Sequence, residues 1–289
     1  MQCPACDTKN AERNKYCHEC GTPLKEESRR PLSRDEVKQL LDLSSVFEIN
    51  HMVDTAIRAY SAILEQHPNY ADVHYKLAGA YEARGDDMGR AIAEYRRAIS
   101  INPNYIDAHR KLGELYSDAG LHEEAINEYK TVLSIKIKFR YADVHNNLGV
   151  AFERSGQYAK AIRSYKKAIE VNPRYTRAHF NLGNAYLAQE KYEDAVAEYR
   201  VVLQGNPRDT LCMNNLGIAL ASLGRYGEAA DAFSDAITHQ PEYARAHHNL
   251  AHVYLDMGDK KKAVLEFKKI LERHPDDEEA TQQLAKLRS

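Results

Sequence analysis

From about residue 50 to the C-terminus, apolar and polar positions recur in a fixed scheme of columns. Leu77, Leu112, Leu148, Leu182, Leu216 and Leu250 share one column, and Gly113, Gly149, Gly183 and Gly217 fill the next. Three residues later stand Tyr81, Tyr116, Phe152, Tyr186, Leu220 and Tyr254. A small-residue column follows (Ala56, Ala91, Ala125, Ala161, Ala195, Ala229, Ala263), and four residues on comes a second aromatic column: Tyr60, Tyr95, Tyr129, Tyr165, Tyr199, Phe233 and Phe267. Apolar positions three and four apart share one face of a helix. Each window therefore predicts two amphipathic helices joined by a short turn, often at Gly (Gly120, Gly156, Gly224, Gly258). Glycine and alanine columns let helix backbones approach closely, and the large rings fill the space beside them.

The prolines give the period. Beyond the first 36 residues they are Pro68, Pro103, Pro173, Pro207, Pro241 and Pro275, and the 70-residue gap hides one window whose proline position is Ile137. Proline ends the second helix of each pair. A period near 34 residues signals a solenoid of stacked units. Seven repeats follow, at 37–70, 71–105, 106–141, 142–175, 176–209, 210–243 and 244–277; residues 278–289 add a closing helix whose Gln282, Gln283, Lys286 and Arg288 supply a polar cover. One extra residue in the Gly85–Arg90 turn and two near Lys138–Arg140 are expected to bend the stack locally.

These columns closely resemble the tetratricopeptide repeat. The departures are a degenerate first repeat and the replacement of the leading Trp mostly by His: His74, His109, His145, His179 and His247. The resemblance implies an all-α fold, a right-handed superhelical α-solenoid of helix pairs over residues 37–289. The column histidines belong to different repeats and are expected to pack locally, since a ladder spaced one repeat apart is a poor metal cage.

The N-terminus follows another logic. Four of the five cysteines are Cys3, Cys6, Cys17 and Cys20, two C-x2-C knuckles separated by ten residues. Two such knuckles can aim four thiolates at one tetrahedral zinc ion. Paired disulfides would need an oxidising compartment, and a redox C-x2-C usually accompanies a βαβ pattern, which does not follow here. About 24 residues bury too little core to fold without metal. The stretch from Cys3 to Leu24 resembles a short zinc ribbon, so Zn2+ is the expected cofactor, in a structural role because four thiolates leave no open position. His18, between two ligands, is expected to be a bystander. Residues 25–36 carry four positive and four negative charges and read as a solvated linker, after which Ser33 and Glu36 fit a capping box opening a helix near residue 34.

Composition narrows the function. A net charge of −2 from 40 Lys and Arg against 42 Asp and Glu gives no global field toward nucleic acid or anionic membrane. The ribbon is itself neutral, with Lys9, Arg13 and Lys15 against Asp7, Glu12 and Glu19, which weighs against nucleic acid as its partner. A nucleic-acid-associated adaptor is the alternative to the leading reading below. No apolar run reaches the roughly 18 residues of a membrane helix, and the opening Met1-Gln2-Cys3-Pro4 shows no basic-then-apolar leader, which predicts a cytoplasmic protein. Phosphate loops, H-E-x-x-H, G-x-S-x-G and dinucleotide fingerprints are absent, so the expectation is a non-enzymatic protein. Seventeen of the 19 tyrosines fall in four repeat columns, so the aromatic content is a packing scheme.

One ladder points to binding. Asn147, Asn181, Asn215 and Asn249 each precede the signature leucine. The family resemblance places this position on the concave groove, where an amide offers both a donor and an acceptor to an extended peptide backbone. It also resembles the groove of the repeat-bearing protein O-glycosyltransferases. The same mapping adds Arg177, Phe180, Asn184, Leu211, Asn214, Ile218, Arg245, His248 and His252, apolar anchors flanked by positive charge, whereas the earlier repeats offer mixed charge (Asp72, Lys76, Glu82, Asp107, Arg110, Lys111, Glu114, Asp143). The expected function is a scaffold that holds an extended, mildly acidic protein segment, with the ribbon as a second contact. Asn at this position is also simply common in the family. Cys212 sits in a column of Val and Ala and is expected to be a packing residue, not a nucleophile.

Overall fold

The computed structural model describes residues 2, 8–10, 53–85, 88–135 and 141–288. Cys3, Cys6, Cys17 and Cys20, the charged linker, the Ser33–Glu36 capping box, the first helix of the first repeat and the Lys138–Arg140 insertion lie outside the described residues, as does part of the Gly85–Arg90 turn. Among the described residues there are fourteen α-helices and no strand; Gln2 and Lys9 pair only as an isolated antiparallel bridge. The chain forms two compact units, Met1–Lys138 and Phe139–Ser289.

In the first unit α1 (Val53–Gln66) packs on α2 (Ala71–Arg84), α2 on α3 (Met88–Ile101), α3 on α4 (Ile106–Asp118) and α4 on α5 (His122–Ser134). The second continues through α6 (Ala142–Arg154), α7 (Tyr158–Val171), α8 (Thr176–Ala188), α9 (Tyr192–Gly205), α10 (Thr210–Ser222), α11 (Tyr226–His239), α12 (Ala244–Asp256), α13 (Lys260–Arg273) and α14 (Glu278–Arg288). Each of these helices packs on the next, and the first helices of successive pairs, α6, α8, α10 and α12, also touch.

The columns explain the packing. All seven rings of the second aromatic column, Tyr60 to Phe267, are at most 1% exposed, and all seven alanines of the preceding column are at 0%. Burying one such ring contributes about 1.5–3 kcal/mol. In four repeats the ring of the second helix lies against the glycine of its own first helix, Gly113, Gly149, Gly183 or Gly217, and a Cβ there would crowd it. A Cβ on Gly113 would stand 2.8 Å from Cε1 of Tyr129, and one on Gly217 would stand 2.6 Å from Cε1 of Phe233.

Turns within the pairs are closed by left-handed residues. Gly85, Gly120, Gly156, Gly224 and Gly258 have φ between +73° and +80°. Behind them an N–H reaches back to the carbonyl five residues earlier, as in Gln157 to Phe152 (2.7 Å), Arg225 to Leu220 (2.9 Å) and Asp259 to Tyr254 (2.8 Å). That is the Schellman arrangement, which satisfies carbonyls the helix end leaves open. The fifth repeat makes the same turn with Glu190 at φ 58°. Between pairs, Asn102, Asn172 and Asn206 accept from the N–H two residues on, across the prolines at 103, 173 and 207. The last pair is covered by α14, whose Ala280 and Leu284 close a cluster with Ala251, Ala263, Phe267 and Ile270.

Candidate functional site

In the second unit the asparagine ladder lies on the four first helices that touch one another. Asn147, Asn181, Asn215 and Asn249 are each half-buried, and their amides are joined across repeats. Asn181 Nδ2 donates to Asn146 Oδ1 at 2.9 Å, Asn215 Nδ2 to Asn184 Oδ1 at 3.0 Å, and Asn249 Nδ2 to Asn214 Oδ1 at 2.8 Å. Asn146 in turn donates to Asn147 Oδ1 (3.3 Å) and Asn214 to Asn215 Oδ1 (3.4 Å), while Tyr199 caps the set by donating its hydroxyl to Asn184 Oδ1 at 2.7 Å. A buried amide left unpaired is costly, so this chain of bonds fixes the register of neighbouring repeats.

That geometry changes the expectation at Asn214. It is 1% exposed, so it is an internal bridge and not a groove surface. Asn146, fully buried, bridges α6 to α8 in the same way. The ladder is also partly engaged within the protein. One N–H of each Nδ2 of Asn181, Asn215 and Asn249 bonds between repeats, which leaves the second N–H, and Asn181 and Asn249 also present, among the described residues, an Oδ1 acceptor with no hydrogen bond.

Around the ladder, Arg177 and Arg245 are exposed and Leu211 is 45% exposed. Phe180 is half-buried, its ring centroid 6.1 Å from that of Tyr199. His248 and His252 are not free cationic groups. His248 Nε2 lies 3.0 Å from Asp277 Oδ2 and His252 Nε2 2.8 Å from Glu279 Oε1, and both rings sit edge-on against Phe267. Burial would raise the Asp277 carboxyl, but the Ala280 N–H and the His248 ring hold it below the usual carboxylate range. The positive character of this face therefore rests on Arg177 and Arg245. Asp277 and Glu279 could not be assigned to this face from the sequence, because Asp277 ends the last repeat and Glu279 lies in the closing helix, neither in a groove column.

The first unit carries a different surface. A cavity of about 770 Å³ is lined by Tyr75, Tyr95, Tyr105, Asp72, Glu82 and Lys111 among others. The Tyr75 ring stands between Tyr95 (5.5 Å, 58°) and Tyr105 (5.1 Å, 30°). Glu82 accepts from Tyr95 Oη at 3.0 Å and from Lys111 Nζ at 3.1 Å, and Arg110 pairs with Asp107 at 2.9 Å. Burial pushes the phenols of Tyr95 and Tyr105 up, and the adjacent carboxylates add to it. The mixed charges read from the sequence here are largely satisfied by one another.

Cys212 is at 0% exposure, its backbone N–H held by Asp209 Oδ1 (2.9 Å), and burial pushes its thiol up to about 12. Among the described residues no group of three or more His, Cys, Asp or Glu is placed to hold a metal ion. No described helix is long and apolar enough to cross a membrane.

Family models of the tetratricopeptide repeat match residues 87–120, 104–174, 146–210 and 220–287. The chain is a tetratricopeptide-repeat protein. Solved repeat proteins share its fold. A tetratricopeptide-repeat protein from Parabacteroides merdae ATCC 43184 is 19% identical, with 88% of this chain and 99% of that one covered and a TM-score of 0.62. YrrB, described as a TPR protein with an unusual peptide-binding site, is 21% identical over 66% of this chain and 96% of its own, with a TM-score of 0.56. A MamA protein is 24% identical over 61% and 94%, with a TM-score of 0.54. No curated protein matches the chain.

Proposed function

We propose that this tetratricopeptide-repeat protein is a non-enzymatic scaffold that holds an extended segment of a partner protein along the first helices of Phe139–Ser289. The observation that carries this is the pair of Oδ1 acceptors on Asn181 and Asn249 that make no hydrogen bond among the described residues, half-buried, two repeats apart and flanked by exposed Arg177 and Arg245. An extended backbone supplies N–H donors to such acceptors whatever its side chains, and the arginines favour a segment with acidic residues. Leu211, exposed beside the ladder, offers an apolar contact. YrrB, with its peptide-binding site, gives a precedent within the same fold.

In this reading Asn147, Asn181, Asn215 and Asn249 face the peptide with Asn184, Phe180, Arg177 and Arg245, and Asn214 holds the ladder in line from behind. Cys3, Cys6, Cys17 and Cys20 bind one structural Zn2+, making the N-terminal module a second contact in the cytoplasm.

The test is capture of partner proteins from the native lysate by the full chain, compared with the Asn181→Ala/Asn215→Ala and Arg177→Glu/Arg245→Glu variants, each checked for native helicity. Partners are expected to be lost in both variants. Equal recovery by wild type and both variants would sink the groove assignment. Zinc is tested separately: about one ion per chain is expected, lost in Cys17→Ser, and a wild-type content far below one contradicts it.

A further inference from the structure

The histidine column does more than pack. In four repeats the ring makes the same two contacts. His74, His109, His179 and His247 place Nδ1 against Oε2 of Glu94, Glu128, Glu198 and Glu266 at 2.5, 2.5, 2.5 and 2.7 Å. Their Nε2 atoms face the carbonyls of Pro68, Pro103, Pro173 and Pro241 at 3.0, 3.1, 3.0 and 3.0 Å. All four rings are buried, between 3% and 7% exposed. Each contact set ties three segments: the first helix carries the ring, the second helix of that pair carries the glutamate, and the proline lies in the turn entering from the repeat before.

The chain itself shows that these groups travel together. In the sixth repeat the histidine position is Met213 and the glutamate position is Ala232, so both polar members are gone at once. In the fourth the proline position is Ile137 and the glutamate position is Ser164, and there burial, with Lys167 nearby, lowers the pKa of His145. His145, without either partner, is half-buried, whereas the four rings that have both partners are buried.

Donor and acceptor counting then fixes the proton. A carbonyl oxygen only accepts, so Nε2 must carry hydrogen; an ionised carboxylate only accepts, so Nδ1 must carry hydrogen too. The pair is an imidazolium with a carboxylate, or equally an imidazole with a carboxylic acid. Either form holds one proton more than a neutral ring beside an ionised glutamate. We infer that the four histidine–glutamate pairs are proton-holding pins that tighten the repeats in mild acid and release them as the pH rises.

The charged surroundings fit this reading. Glu128 is the charged group acting on His109, and its hydrogen bond is the largest influence raising that histidine, against burial. Lys166 lies near Glu198. At the last pin, Lys269 Nζ also contacts Glu266 at 2.7 Å, and Arg273 Nη1 donates to the same Pro241 carbonyl at 2.5 Å, so that oxygen accepts from both groups. Burial would raise the Glu266 carboxyl, but the His247 and Lys269 hydrogen bonds hold it down. A raised histidine contributes fully below its ordinary value of 6.5 and loses its contribution as pH climbs through the raised one. A lowered glutamate contributes above its ordinary 4.5 and loses its contribution as pH falls through the lowered one. His109 therefore contributes most below 6.5, and Glu266 most above 4.5.

The direct test is nitrogen NMR of the histidine rings in the full chain across pH 5 to 9, assigned with single His→Gln variants. The four pinned rings are expected to keep both nitrogens protonated, or to share the Nδ1 proton with glutamate, to a higher pH than His145. Loss of the Nδ1 proton at or below the pH where His145 loses its own would overturn the inference. In urea unfolding, the wild-type midpoint should fall between pH 6 and 8.5, and Glu94→Gln/Glu128→Gln/Glu198→Gln/Glu266→Gln should shrink that fall. An undiminished fall counts against the pins. Met213→His with Ala232→Glu builds a fifth pin beneath Pro207 and should steepen the dependence; an unchanged slope also counts against them.

Discussion

Gly183 lies against the ring of Tyr199 so closely that an added Cβ would stand 2.7 Å from Cε1 and 3.0 Å from Cδ1. Tyr199 is at 0% exposure, so the ring has nowhere to retreat. Alanine is worth up to about 1 kcal/mol over glycine inside a helix, but overpacking a filled core costs about 1–3 kcal/mol. Gly183→Ala is therefore expected to lower stability, by about 1–2 kcal/mol, measured as a fall in the urea midpoint at unchanged slope. A gain would mean that the helices separate more easily than the buried ring implies.

The opposite sign is expected at Glu190. It makes the left-handed turn that glycine makes in the neighbouring repeats, with φ at 58°. A residue with a Cβ pays roughly 1–2 kcal/mol there, and some of the relief is returned because glycine frees the unfolded chain by about 0.4–1 kcal/mol. Glu190→Gly should raise stability by about 0.5–1 kcal/mol, visible as a higher thermal midpoint.

The columns made the helices and the buried rings legible, because the i, i+4 spacing that places Ala195 and Tyr199 on one face is local. The seven alanines and seven rings are all at most 1% exposed. The polar partnerships were not legible in the same way. Asn181 finds Asn146, 35 residues back, only because α6 and α8 approach at one angle, and no single column encodes that angle. The histidines of the pins were read as a column, but the glutamates 19 or 20 residues on were not, and pairing the two needed the direction of each ring nitrogen. His248 and His252 were placed on the groove by their columns, which do not show that they contact Asp277 and Glu279 at the end of the last repeat and in the closing helix.

Asn214 separates a structural role from a binding one. It accepts from Asn249 at 2.8 Å and is 1% exposed, so Asn214→Ala strands a half-buried donor. Leaving such a group unpaired costs about 1–3 kcal/mol, and that loss is expected in the unfolding midpoint. Arg177 is exposed, and Arg177→Ala should change stability by less than about 0.5 kcal/mol while weakening capture of an acidic segment. Equal stability of the two variants would argue that the amide chain does not hold the repeats together.

Cys212 offers a probe of the same interior. Its thiol is at 0% exposure with Sγ 3.5 Å from the Tyr199 carbonyl, and burial, with Asp209 nearby, pushes it up to about 12. Thiolate is the reactive form, so both access and ionisation protect it at neutral pH. In a chain with Cys3, Cys6, Cys17 and Cys20 all changed to Ser, a thiol reagent should label Cys212 only through opening of the repeats, at a rate that rises steeply with urea. The rate should also track the pins: if they tighten the stack in mild acid, opening at pH 6 is rarer than at pH 8.5 after correction for the reagent's own pH dependence. Labelling in native buffer as fast as that of the urea-unfolded chain would contradict the buried placement of the thiol.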